Sequence, residues 1–197
     1  MERLRKLIDR LPPGLRRALR WGEHLLAVVG ALMITYHVGF ELNVMISPSM
    51  SPTLQGTSKD NGDWILTERV SYWFREPRRW EVVRFDMADG TPVMKRVVGL
   101  PDETVALDKF RLLIDGNHIP QPASIAELKY YSYGNISHGR TFTNGLGYYV
   151  LGDDSVDSYD SRYEGTVPKE KIAGRVWLRV WPPSRFGLVH TLKPKDD

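Results

Sequence analysis

At 197 residues, 42% apolar and 26% charged, the chain is long enough for a folded domain with its own core. It has no cysteine, which removes thiol nucleophiles, disulfides and cysteine-ligated metals, and its five histidines (positions 24, 37, 118, 138 and 190) show no metal-ligand spacing and no local Ser-His-Asp motif. The net charge of +3 is concentrated ahead of an apolar run, so the basic balance speaks for membrane orientation more than for nucleic acid, for which no motif is visible.

In chain order, Arg3, Arg5, Lys6, Arg10, Arg16, Arg17 and Arg20 are opposed only by Glu2, Asp9 and Glu23. The apolar run then starts at Leu25, meets no Asp, Glu, Lys or Arg until Glu41, and resumes up to Ser47. A spanning helix needs roughly 20 mostly apolar residues, so the run suffices with His37 near its far end and Glu41 at the interface. A buried helix of a soluble domain and a cleaved leader also begin in this way. The basic flank favours a cytoplasmic N-terminus, and no small-x-small cleavage site follows Phe40. The expectation is therefore a basic cytoplasmic segment over 1–22, an uncleaved single-pass anchor over 23–46, and one extracytoplasmic domain over 47–197. The stretch around Pro12-Pro13-Gly14 either lies on anionic headgroups or is a solvated tail. No transit peptide is evident ahead of the anchor, which selects the bacterial cytoplasmic membrane.

Beyond Ser47, short apolar or alternating runs bounded by turn residues predict strands over 64–67, 81–85, 93–98, 104–107, 111–114, 148–151 and 171–181. The fold class expected is mainly β. Asp115-Gly116 supplies the positive φ angles of a tight hairpin turn within 111–119. Residues 120–144, polar and carrying Tyr130, Tyr131 and Tyr133, read as an excursion between strands. The cluster Tyr72-Trp73-Phe74, Arg75, Arg78, Arg79 and Trp80 is either a headgroup-seeking patch or cover for the β core.

Three segments carry chemistry. Ser49 sits in Ser47-Pro48-Ser49-Met50-Ser51-Pro52-Thr53-Leu54, directly after the apolar run. A serine needs a general base, and lysine serves only when neutral, as burial can make it. Lys95, in Val93-Met94-Lys95-Arg96-Val97-Val98, has apolar neighbours, and period-two alternation puts it on one face with Val93 and Val97; a strand lysine snorkelling to water reads the same way. The segment from Gly152 to Gly165, rich in Gly, Asp and Ser, is either a solvated turn or a calcium loop, although it lacks the spacing and terminal glutamate of an EF-hand.

Taken together, the anchor, Ser-Met-x-Pro-Thr-Leu, Lys-Arg-x-Val-Gly-Leu-Pro and Gly-Asp-x5-Ser-x-Asp-Ser-Arg-x2-Gly resemble, in that order, the type I signal peptidases, membrane-anchored Ser-Lys endopeptidases that cut leader peptides from exported proteins. The match runs from Leu25 to Trp181. The resemblance implies an all-β Ser-Lys protease domain with a polar and aromatic insertion. It implies Ser49 as nucleophile, Lys95 as base, Ser47 and the Ser49 amide as oxyanion hole, and Ser158 as the hydroxyl that orients the lysine. It also implies an ion pair between Asp160 and Arg162, with Asp153 in the same support. The partners it implies are the bilayer and the signal peptides of exported preproteins, bound extended with Ala-x-Ala before the cut; no metal or organic cofactor is needed. Met50, Leu54, Val93 and Met94 are candidates to line the substrate pockets, or are ordinary core.

Three departures from the family's pattern stand out. Asp102 replaces the glycine of Gly-Leu-Pro-Gly-Asp, Asp154 and Ser155 replace the last two residues of Gly-Asp-Asn-Arg, and Trp80 replaces the glycine of Arg-Gly-Asp-apolar-Val. The alternatives are another Ser-Lys processing peptidase, of the conjugation-system type, and a silent membrane-anchored binding domain.

Overall fold

The structure, a computed structural model, describes residues 12–87 and 89–189. Arg3, Arg5, Lys6, Arg10 and His190 lie outside the described residues. The chain separates into two compact units, one ending at Phe40 and the other beginning at Glu41.

Among the described residues the first unit holds one helix, α1 (Pro13–Gly39), that starts on Pro13, whose missing N–H costs nothing in the first turn. It closes with the Phe40 N–H donating to the Tyr36 carbonyl. At 1.5 Å per residue its 27 residues reach about 40 Å, more than a bilayer core. By length and composition it is the one described helix able to cross a membrane. Leu26 and Ile34 are about two-thirds exposed, so no protein core accounts for their apolar character. Thr35, the polar interruption, turns its hydroxyl back to the Ala31 carbonyl.

The helix stops at Gly39, short of the expected 46. Residues Phe40–Val44 form strand β1 instead. Glu41 and Asn43 are the reason: at period two both point into the domain, where Glu41 pairs with Arg69 and Arg84 and Asn43 reaches the Thr67 hydroxyl. Leu42, between them, is exposed.

The second unit is mainly β. One sheet orders β1, β2 (Trp64–Glu68), β10 (Ile172–Trp181), β3 (Val82–Asp86), β4 (Pro92–Gly99) and β9 (Tyr149–Leu151), with β11 (Gly187–Leu188) also on β10. A smaller sheet orders β7 (Asn117–His118), β6 (Arg111–Ile114), β5 (Thr104–Asp108) and β8 (Phe142–Thr143). Strands β3 and β4 are apolar at successive positions because both of their faces are covered. Val82 and Met94 pack with Met50, Leu54, Ile65 and Val176 on one side, while Val83 and Val97 pack with Phe85, Val150 and Val167 on the other. The hairpin turn has φ of 50° at Asp115 and 79° at Gly116, as a two-residue turn requires.

Residues 120–144 are more than a polar excursion. Ile125, Leu128, Tyr130 and Ile136 are buried against Val105, Leu112 and Ile114 of the small sheet. In the aromatic and basic cluster, Trp80 is core, Tyr72 donates to Glu81, Arg75 pairs with Glu81 and Arg79 pairs with Glu103. Only Trp73 and Phe74, on the one-turn helix α2 (Ser71–Phe74), stand out as exposed aromatics there.

Two of the motif departures acquire a backbone meaning. Trp80 has φ of 73° and Asp102 has φ of 65°, so both occupy the left-handed region at positions where the resembled family carries glycine. Asp tolerates that conformation through its short polar side chain, whereas a tryptophan there costs roughly 1–2 kcal/mol, offset by burying its ring in the core.

Candidate active site

Ser49 lies in a single 3-10 turn, Pro48–Met50, closed by the Ser51 N–H donating to the Pro48 carbonyl at 2.7 Å. Met50 and Leu54 are fully buried and fasten this turn to the core. Lys95, opposite Val83 in the middle of β4, is 3% exposed. Its Nζ is hydrogen-bonded to Ser49 Oγ at 2.7 Å. The Ser47 hydroxyl is 3.1 Å from Ser49 Oγ.

Burial lowers the Lys95 pKa from 10.5 to about 8. The Asp160 carboxylate opposes that shift, the Arg162 guanidinium reinforces it, and Asp153 and Asp157 oppose it further. The amine therefore has an accessible neutral form near neutral pH, 2.7 Å from a hydroxyl: the geometry of a base and its nucleophile.

The loop after β9 supports this pair. Asp160 caps the one-turn helix α3 (Ser161–Glu164) and receives both Nε and Nη2 of Arg162 at 2.8 Å, each side chain fully buried. Its other acceptor sites take the Gly152 N–H at 2.9 Å and the Ser158 hydroxyl at 2.7 Å. The Ser158 hydroxyl thus donates to Asp160, and among the described residues no hydrogen bond joins Ser158 to Lys95, the partner expected for it. Ser155, the second departure in its motif, takes Arg162 Nη1 and the Tyr131 N–H on its hydroxyl, both at 2.8 Å. The Asp154 N–H donates to the Ser49 carbonyl at 3.1 Å, joining the loop to the serine turn. Gly152 permits that approach: a Cβ there would stand 2.2 Å from Ser158 Oγ and 2.6 Å from the Ser49 carbonyl oxygen.

Asp153 has a partner that sequence reasoning did not single out. Arg96, the neighbour of Lys95, points to the opposite face of β4 and grips Asp153 through Nε at 2.8 Å and Nη2 at 2.5 Å, with both side chains inaccessible to water. Its Nη1 donates to the Trp80 carbonyl, and the Thr53 and Tyr130 hydroxyls complete the carboxylate's contacts. Thr53 belongs to the serine motif, so this pair ties that motif to the loop from behind. The dipeptide Lys95-Arg96 inside an apolar strand was the available signal: with both faces covered, both charges must be buried.

A cleft of about 250 Å³ opens beside Ser49 and Lys95, walled by Met45, Ile46, Met87, Val93, Met94 and Tyr159. Val93 and Met94 are in its wall. Met50 and Leu54 are not: they are sealed in the core with Ile65, Val82 and Val176. The turn packs these two side chains against the sheet, on the side away from the opening. Among the described residues no cluster of His, Asp and Glu is arranged to hold a metal ion.

A family model described as "Signal peptidase, peptidase S26" matches residues 18–181. A protein of Synechocystis sp. named "Probable signal peptidase I-2" is 35% identical over 83% of this chain and 72% of its own length. The "Signal peptidase I" of Leptolyngbya laminosa is 35% identical over 82% of this chain and 78% of its own. That of Bacillus caldolyticus is 27% identical over 88% of this chain and 96% of its own.

Proposed function

The chain belongs to the signal peptidase family, peptidase S26, and is a serine endopeptidase that removes signal peptides from preproteins; on that premise we propose that Ser49 is its nucleophile and Lys95 its general base. The observation that carries the assignment is the 2.7 Å contact between Ser49 Oγ and the Nζ of a lysine 3% exposed. With a pKa of about 8, about a tenth of Lys95 is neutral at pH 7. The neutral amine takes the Ser49 proton as Oγ attacks the scissile carbonyl carbon. The Ser47 hydroxyl and the Ser49 N–H stabilise the oxyanion. The ammonium then protonates the departing amine, and water, activated by the same lysine, releases the acyl group from Ser49.

Ser158 acts through Asp160: burial does most to make Lys95 shed its proton, and Ser158 holds the carboxylate whose charge opposes that loss while Arg162 favours it. The Arg96–Asp153 and Arg162–Asp160 pairs keep serine turn, lysine strand and loop in register. The substrate binds extended, with small residues at alternate positions before the cut, as Ala-x-Ala.

The helix α1 anchors the chain in the bacterial cytoplasmic membrane as a single span. Arg16, Arg17 and Arg20 at its start keep the N-terminus cytoplasmic and send the β domain outside. Because the native chain has no cysteine, Lys59→Cys provides a single thiol for a membrane-impermeant label, and labelling only after cell lysis would refute that orientation. The assignment of the pair is tested by cleavage of a purified preprotein with wild type, Ser49→Ala and Lys95→Ala. Both variants lose cleavage; a Ser49→Ala protein that cuts as well as wild type overturns the assignment.

A further inference from the structure

The cleft beside Ser49 is not the only space open to a substrate. A second cavity, of about 100 Å³, adjoins it, several times the ~10–15 Å³ that one water needs. Met87, Val93 and Tyr159 line both spaces. Phe85, Val150 and Val167, all buried, give the cavity an apolar wall beside Val93 and Met87, and Asp86, Asp160, Ser161, Glu164, Thr166 and Lys171 complete its lining. Tyr159 is held in place by stacking on Tyr163, with ring centres 5.2 Å apart and planes within 9°.

Strand β4 indicates which substrate side chain reaches this space. β3 covers one edge of β4 from Pro92 to Arg96, while β9 covers the other only from Arg96 to Gly99. Among the described residues, the second edge of Pro92–Lys95 therefore has no strand partner, and it borders the cleft. An extended peptide added to a free edge alternates its side chains between the two faces of the sheet. One set falls on the face of Met94, beside Met45. The other falls on the face of Val93 and Lys95, where the cavity lies. Two small residues at alternate positions share one face; with these on the first, against the buried Met45 and Met94, the residue between them is directed to the second.

We propose that this cavity is a substrate subsite that receives the side chain of the residue between the two small ones before the cut, and that it favours an aliphatic group there. The inference rests on the signal-peptidase reading of Ser49 and Lys95 and deepens it. A branched aliphatic side chain fills space that glycine leaves empty, and the cavity offers no unpaired buried charge to a polar one: Asp160 is committed to Arg162.

The test uses peptides with Ala-x-Ala before the cut, x being Gly, Leu or Phe, and full-length wild type, Val167→Phe and Val167→Ala. Val167 is on the cavity wall and not in the wall of the catalytic cleft. The readout is the ratio of kcat/KM for Leu over Gly within one protein, in which any loss of folded enzyme cancels. Wild type gives a ratio of at least about tenfold. Val167→Phe collapses it towards one, and Val167→Ala moves the preference to Phe. A wild-type ratio near one, or a ratio unchanged in both variants, overturns the subsite and leaves the cleavage reading standing. No cleavage of any peptide by wild type overturns that reading and the subsite with it.

Discussion

Replacing Lys95 by Met removes the proposed base and stabilises the protein. The lysine is 3% exposed and its pKa falls from 10.5 to about 8 on folding, which at 1.36 kcal/mol per pH unit is about 3 kcal/mol of strain on the charged form. The sign follows from the proton count. Between pH 8 and 10.5 the unfolded chain holds a proton that the folded chain has released, so wild-type stability rises with pH through that window, and below pH 8 the full cost is present. Lys95→Met abolishes the cost and forfeits one hydrogen bond to Ser49, worth about 1 kcal/mol. The net gain is about 2 kcal/mol at pH 7, or about 4–8 °C in Tm for a chain of this size. Thermal unfolding of the full chain in detergent, followed by circular dichroism from pH 6 to pH 10.5, reads it directly. The variant melts higher at pH 7 and its advantage disappears towards pH 10.5. A variant less stable at pH 7, or an advantage independent of pH, would refute a buried lysine strained by its charge.

Removing one member of the inner ion pair has the opposite effect. Asp153→Ala strands the Arg96 guanidinium in a site with no water access, at a cost of about 3–5 kcal/mol in urea unfolding; a loss below about 1 kcal/mol would contradict the burial argument. Gly152→Ala drives a methyl group onto the Ser49 carbonyl and the Ser158 hydroxyl, and displacing the nucleophile by about 1 Å lowers kcat about a hundredfold; unchanged kcat would mean the turn adapts freely. Ser47→Ala lowers kcat about 10²- to 10³-fold with little change in KM if its hydroxyl meets the oxyanion, and a kcat equal to wild type removes it from that role.

The strand rhythm beyond Ser47 was legible because turn residues bound each run and both faces of β3 and β4 are covered, so their apolar runs are nearly unbroken. Strand β1 was not, since no turn residue separates Phe40–Val44 from the apolar run before it and only the distant Arg69, Arg84 and Thr67 draw Glu41 and Asn43 into a sheet. Ser49 and Lys95 drew notice as a serine after the apolar run and a lysine in an apolar strand, but only the family resemblance paired them; the fold brings their side chains to 2.7 Å. The partner of Ser158 was not legible, because the choice between lysine and carboxylate is made by the loop's path, which brings Asp160 to its hydroxyl. Met50 and Leu54 sit beside the nucleophile in sequence yet face the core, a matter of which side of a three-residue turn is covered. Arg96 and Asp153, 57 positions apart, meet only when β9 pairs with β4.

A neutral, buried Lys95 acting as the base for Ser49 would govern the pH dependence of kcat/KM on a preprotein. The expected profile is a single ascending limb of unit slope with its midpoint at about pH 8 and a plateau above it, tracking the neutral amine. A midpoint near the ordinary lysine value of 10.5, or no ascending limb between pH 6 and pH 9, would contradict it.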